Sequence, residues 1–217
     1  MSFDFRDSTA LFGGSFHPPH TGHTQAIEGL LKNPGVMKII VLPSYGTPLK
    51  KVAVSFDQRM DMAKLAFSSL HLVKVSDFEQ KHQTQYTWQL LEKFSPQVKN
   101  PVFVIGTDQF QKIDQWAKFP EVLAMSDWIV LLRKPTTMDS LKTNIQKLVQ
   151  EQILKPTSND HEFISMGKRF KFIETEAIEV SSTLLREKIA LNSWDSITNI
   201  IAPNVKEYIL RNNIYGK

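Results

Sequence analysis

The chain has 217 residues, 41% of them hydrophobic and 22% charged, a balance that fits one folded domain and excludes a disordered chain. It contains no cysteine, which rules out disulfides and thiolate metal centres, and no apolar run near the roughly 18 residues of a membrane span. Its 26 Lys and Arg against 22 Asp and Glu leave a net charge of +4, suited to anionic ligands and too small to imply a nucleic-acid partner.

The first seven residues carry Asp4, Arg6 and Asp7 and no apolar core, so they do not read as a signal peptide, and the cytoplasm is the expected compartment. Thr9–Phe12 reads as a strand that stops at Gly13-Gly14. Thr21–Lys32 then has helical spacing, with Ile27, Leu30 and Leu31 on one face. Lys38–Leu42 is a β-branched strand, Phe56–Leu70 a helix with Met60, Ala63 and Phe67 on one side, and Leu72–Val75 a short strand. Tyr86–Phe94 predicts a third helix, and Val102–Ile105 and Trp128–Leu132 predict buried strands. Met138–Leu154 is amphipathic, either capping the sheet or forming an inserted helix. Phe170–Ile173 is a late strand, and Thr183–Leu191 and Val205–Asn212 are closing helices. The alternation predicts an α/β fold: a Rossmann-like, mostly parallel sheet with helices on both faces, in one domain spanning 1–217 whose helical end begins near 181.

Three constellations carry chemistry. The first is Gly13-Gly14-Ser15-Phe16-His17-Pro18-Pro19-His20-Thr21-Gly22-His23, between the first strand and the first helix. Paired glycines let a backbone approach a bulky ligand, and a helix N-terminus suits phosphate. His20 and His23, three apart, can face the same spot, where a protonated or hydrogen-donating imidazole would bind phosphate oxygens and neutralise a leaving group. A zinc pair would need further ligands, and none is close in sequence.

The second is Ile105-Gly106-Thr107-Asp108, with Trp116 eight residues on. Ligands of open parallel sheets sit beyond the carboxyl ends of the strands, so this loop and the first should converge. Asp108 reads either as a partner for a sugar hydroxyl, an amine or a cation, or as a helix N-cap. Trp116 reads either as a stacking platform or as core. The third is Val180-Ser181-Ser182-Thr183-Leu184-Leu185-Arg186. Its arginine opposes the helix dipole unless an anion is bound there, or unless it turns to Glu187 or Glu179. Lys50 and Lys51 in a loop, Arg59 on the second helix and Thr87 at the start of the third are weaker candidates.

Together these motifs resemble the nucleotidylyltransferase superfamily, whose members carry His-x-Gly-His after the first strand. In order and coverage they resemble the bacterial nicotinate-nucleotide adenylyltransferases, through Gly13–His23, Leu42–Lys51, Arg59, Tyr86-Thr87, Gly106–Asp108, Trp116, Val180–Arg186 and Pro203–Tyr215. The resemblance implies transfer of AMP from ATP to nicotinate mononucleotide, with Mg²⁺ required, giving deamido-NAD and pyrophosphate. It implies that His20 and His23 hold the ATP phosphates, Ser15 and Phe16 give backbone contacts, and Ser182, Thr183 and Arg186 grip the triphosphate, beside the glycines Gly13 and Gly14. Gly106 and Asp108 would meet the adenosine or the dinucleotide. Trp116 would stack on the pyridine ring, Thr87 would approach its carboxylate, and Lys50 belongs to the substrate loop. Three departures stand out: His17 where the family usually has Asp, Gly46-Thr47-Pro48-Leu49-Lys50-Lys51 where its loop usually reads Pro-Pro-His-Lys, and Gln85 where Ser usually precedes Tyr-Thr. Expected partners are ATP and a pyridine mononucleotide, without membrane or nucleic acid, and a homo-oligomer is compatible with the sequence. The alternatives are an adenylyltransferase preferring nicotinamide mononucleotide or another phosphorylated acceptor, and a non-catalytic nucleotide- or RNA-binding regulator.

Overall fold

The computed structural model describes residues 2–32, 35–46, 54–178 and 180–216. Eight strands form one sheet: β1 (Thr9–Gly14), β2 (Lys38–Pro43), β3 (Val73–Val75), β4 (Pro101–Gly106), β5 (Asp127–Lys134), β6 (Lys155–Pro156), β7 (Glu162–Ser165) and β8 (Lys168–Ile178). Their order is β3-β2-β1-β4-β5-β8-β7-β6. The run from β3 to β8 is parallel, and only the β8–β7 and β7–β6 pairings are antiparallel. The chain builds outward from β1 through β2 and β3, then returns to place β4 on the other side of β1. That reversal opens a crevice at the carboxyl ends of β1 and β4.

Among the described residues the α-helices are α1 (Thr21–Lys32), α2 (Phe56–Phe67), α3 (Phe78–His82), α4 (Thr87–Phe94), α5 (Thr107–Phe110), α6 (Met138–Gln150), α7 (Ser182–Ala190) and α8 (Pro203–Arg211), with short 3₁₀ turns between some of them. Alternation along the strands separates two cores. Leu11, Phe103, Ile105, Trp128 and Phe172 face α4, α5 and α6. Ala10, Phe12, Val41, Val104 and Ile129 face α1 and the Ala63–Phe67 side of α2. A third cluster, Met62, Leu185, Ile189, Val205 and Ile209, seats α7 and α8 against the other side of α2. The predicted 138–154 helix ends at Gln150 and packs Leu141, Ile145 and Leu148 on the sheet, so it caps one face. Ser55 starts α2 with a reciprocal cap: its hydroxyl accepts from Gln58 N–H at 3.2 Å, and Gln58 Oε1 accepts from Ser55 N–H at 3.2 Å.

The sequence reading missed α3, α5 and the β6–β7 edge. Helices of five and four residues are too short to show periodicity, and Pro156 marks β6 as an edge segment that only pairing with β7 makes a strand. Among the described residues no helix is long and apolar enough to cross a membrane.

Phe172 in β8 is 1% exposed and meets Phe110, Phe163 and Phe170 at centroid distances of 5.0, 5.7 and 5.7 Å. Phe172→Ala is expected to remove about 3–5 kcal/mol of stability in denaturant unfolding. A loss under about 1 kcal/mol would contradict this packing.

Candidate active site

The loop after β1 is folded by close backbone packing. A Cβ on Gly14 would lie 3.0 Å from the Phe16 ring. Phe16 takes φ 46°, an uncommon conformation for a side chain of this size, and its fully buried ring sits 5.7 Å from Phe67 and 5.1 Å from His23. Arg59, 2% exposed on α2, fixes the outer side of this turn. Its Nη1 donates to Ser15 O at 2.9 Å and its Nη2 to Ser44 O at 2.8 Å, tying the β1 loop to the loop after β2. Burial draws its pKa down, yet a guanidinium at this position keeps its charge. The sequence placed Arg59 near the crevice. The structure makes it the brace between the two loops.

His20 and His23 lie ring on ring, centroids 3.7 Å apart. His20 N–H donates to His23 Nδ1 at 3.2 Å, which leaves the His23 proton on Nε2. His20 is 3% exposed, and its Nδ1 has no partner among the described residues. Both imidazoles are driven toward the neutral form: His20 falls to about 3 through burial and then the Arg133 charge, and His23 falls well below the usual value through burial, His20 and Arg133. The sequence reading allowed an imidazolium here. The free protein presents a neutral pair instead, because burial penalises the charged form of each ring and the Arg133 charge adds to it.

Arg133 was not singled out from the sequence. It closes β5, the strand beside β4, so topology alone brings it to the histidines. Its Nη2 donates to Asp108 Oδ1 at 3.0 Å, and a Cβ on Gly106 would sit 2.7 Å from Nη2 and 2.8 Å from Asp108 Oδ1. A side chain at Gly106 would displace the ends of Arg133 and Asp108 from this pairing rather than collide with backbone. Asp108 is the second residue of α5, and Gly106 holds the cap position, so Asp108 is no N-cap and instead ion-pairs with Arg133. Trp116 is half-buried, packs on the α4–α6 core and meets Trp128 at 6.1 Å. It does not line the cavity described below.

At the other end of the chain, the Ser181 hydroxyl caps α7 by accepting from Leu184 N–H at 3.3 Å. Ser182 and Thr183 occupy its first turn. Arg186 does not ion-pair with Glu187, and Glu179 lies outside the described residues. Its Nη2 donates to Thr183 Oγ1 at 3.0 Å and its Nη1 to the His17 carbonyl at 2.9 Å, 169 positions away in sequence. The first and third constellations thus meet directly. His17 is itself buried and its pKa drops to about 4, through burial and the charges of Arg186 and Arg59.

A cavity of about 160 Å³ opens beside the β1 loop. Gly13, Gly14 and Ser15 form one wall, Tyr86 and Thr87 at the start of α4 another, and Gln85 and Gln109 also face it. Glu79 on α3 also lines it, at 8% exposed, and its Oε2 accepts from Tyr45 N–H at 3.1 Å. Burial pushes its carboxyl up to about 8, against the Tyr45 hydrogen bond and the Arg59 charge. Sequence reasoning missed Glu79 because it missed α3. A glutamate beside Phe78 in a polar stretch carries no signal of burial. Lys50 and Lys51, and residues 47–53 of the 43–54 loop, fall outside the described residues.

The profile of the cytidylyltransferase-like family matches residues 11–188. A protein of Caldicellulosiruptor bescii described as a probable nicotinate-nucleotide adenylyltransferase is 32% identical over 96% of this chain and 98% of its own length. A Hydrogenobaculum relative with the same description is 30% identical over 96% and 98%. In architecture the chain is similar to Plasmodium falciparum nicotinic acid mononucleotide adenylyltransferase complexed with NaAD. The TM-score is 0.72, with 18% identity over 96% of this chain and 97% of that one.

The buried titratable groups set opposite pH slopes. Each histidine, lowered from 6.5, contributes stability that is complete above that value and lost as pH falls toward the folded values of about 4 for His17 and about 3 for His20. Glu79, raised from 4.5 to about 8, costs stability progressively as pH rises between those values. The thermal midpoint of Glu79→Gln should therefore exceed that of the parent by a margin that grows from about pH 5 to about pH 8 and then levels. A pH-independent difference would contradict the assigned shift.

Proposed function

The chain belongs to the nicotinate-nucleotide adenylyltransferase family, within the cytidylyltransferase-like proteins, and we propose that it transfers AMP from ATP to nicotinate mononucleotide, releasing pyrophosphate and forming deamido-NAD. The observation that carries this reading is the Arg186–His17 hydrogen bond, which brings a serine–arginine helix start onto the histidine loop and makes one cationic pocket from both ends of the chain.

In this reading the ATP polyphosphate lies between His20, His23 and the first turn of α7. Ser182, Thr183 and Arg186 supply donors there, and His23 offers its Nε2–H. The N-terminal ends of α1 and α7 add their positive dipole ends. A bound polyphosphate would raise the imidazole pKa values, and the 3.7 Å stacking limits the pair to one added proton. Gly106 and Asp108 approach the adenosine, with Asp108 held by Arg133. Gly13, Gly14, Ser15 and the Phe16 backbone wrap the reacting phosphates. Thr87, on the cavity wall, approaches the nicotinate carboxylate. Trp116 packs against Trp128 and does not line that cavity, so no ring contact is assigned to it. Lys50, outside the described residues, keeps only the substrate role that the resemblance implies. The structure of the Plasmodium protein with NaAD supports a pocket of this fold that accepts the dinucleotide product.

The acceptor phosphate oxygen attacks the α-phosphorus in line. A bond forms from that oxygen to phosphorus as the bond to the bridging oxygen of pyrophosphate breaks. No side chain becomes covalently attached, so catalysis is positioning together with neutralisation of charge on the departing pyrophosphate. In this reading ATP would enter with Mg²⁺, which would supply neutralisation of phosphate charge. Among the described residues no cluster of three or more His, Asp or Glu is present. The cytoplasm is the compartment where such a soluble biosynthetic step would run.

The test is a coupled pyrophosphate assay with ATP and four acceptors: nicotinate mononucleotide, nicotinamide mononucleotide, phosphopantetheine and a sugar phosphate. Release should depend on the added nicotinate mononucleotide, with the other acceptors slower. ATP binding without release for any acceptor would favour a regulator and contradict the reading. His20→Ala and His23→Ala should each lower turnover about 10²-fold or more, the scale of losing one charge-stabilising donor. Near-normal turnover in both would contradict their roles.

A further inference from the structure

The last residues of the chain reach the site. After α8, Ile214 N–H donates to Ile209 O at 3.0 Å and turns the chain back. Ile214 then sits 5% exposed in the cluster that also holds Leu185 and Ile189 of α7. This turn lays the Tyr215 ring against the His17 ring, centroids 5.1 Å apart and inclined by 56°. Both rings lie within the electrostatic reach of Arg59 and Arg186.

The contact is costly as pure packing. Tyr215 takes φ 67°, where a residue with a side chain is strained. The Tyr215 hydroxyl and His17 Nε2 are both buried without a hydrogen-bond partner among the described residues. An aliphatic pair would fill the same space without orphaned polar atoms. What the contact does secure is the backbone of His17, whose carbonyl accepts from Arg186 Nη1 at 2.9 Å. Thr183, the other acceptor of Arg186, sits one turn back on the same helix and cannot orient the guanidinium relative to the β1 loop.

We infer that Tyr215 is a positioning residue of the ATP site: its ring clamps His17, so that the His17 carbonyl holds the Arg186 guanidinium toward the polyphosphate. This rests on the proposed adenylyltransferase reading. The C-terminal segment is then part of the nucleotide site, and its loss acts on ATP rather than on the acceptor.

The experiment is a double-mutant cycle on ATP affinity, measured calorimetrically with the full chain, alongside KM for each substrate. Tyr215→Leu keeps apolar bulk and should weaken ATP binding about tenfold, the scale of a disturbed charged hydrogen bond, with the acceptor KM within about twofold. Tyr215→Phe should restore ATP affinity to within about twofold of the parent, since the ring does the work. In an Arg186→Ala background, Tyr215→Leu should cause no further loss, because its effect runs through the guanidinium. The same fold-loss in both backgrounds, an equal loss in Tyr215→Phe, or unchanged affinity in Tyr215→Leu would overturn the proposal. Should Tyr215→Leu fail to fold, His17→Asn removes the ring contact from the other side and keeps the carbonyl. It should show the same ATP-selective loss, and unchanged ATP affinity there would overturn the proposal too. A parent protein that binds no ATP would overturn the adenylyltransferase reading and this proposal together. ATP binding with multiplicative losses would overturn this proposal alone.

Discussion

The site depends on two guanidiniums that hold carbonyls of the loop after β1, one of them tying it to the loop after β2. Arg59 takes Ser15 O and Ser44 O, and Arg186 takes His17 O. A loop that leaves a strand at Gly13-Gly14 and carries Phe16 at positive φ has no regular ladder to define it. Its shape is set by part-buried charge-assisted bonds, which are worth roughly twice a neutral pair. One brace comes from α2, early in the chain, and the other from α7, near its end. The loop reaches its final shape only when the whole fold has assembled around it.

The charge balance follows from that arrangement. Arg59, Arg133 and Arg186 surround the first motif, and the three histidines between them are pressed toward neutrality by burial and by these cations. An overall charge of only +4 therefore conceals a local cluster of three arginines, one of them paired with Asp108. A polyphosphate is the ligand class whose charge such a cluster would offset. In the proposed function the neutral His20–His23 pair is a reserve of donors, one of which can take up a proton as anionic oxygens arrive. Glu79 shows the opposite pressure, a carboxyl kept above its ordinary range in the wall of the neighbouring cavity.

How legible this was in the sequence varies by physical cause. Thr21–Lys32 was read to the residue, and the apolar stripe of Ile27, Leu30 and Leu31 marked its buried face. The parallel sheet followed from β-branched runs alternating with helix-length segments. The β6–β7 edge was illegible because tertiary pairing, not propensity, makes Lys155-Pro156 extended. In the site, the His17–His23 stretch and the Ser181–Arg186 turn were visible because their residue types are odd for their positions. Arg133 reads as an ordinary cation at a strand end, Glu79 as surface and Tyr215 as tail. Only the strand order, a five-residue helix and the final turn of chain bring them inward.

The central claim, that both ends of the chain build one polyphosphate pocket, is tested most directly by a crystal structure with a non-hydrolysable ATP analogue. The account predicts phosphate oxygens within hydrogen-bond distance of the Arg186 guanidinium and, in the same molecule, of a His20 or His23 ring nitrogen. A polyphosphate bound with neither group, or with α7 and the histidine loop contacting separate ligands, would contradict it.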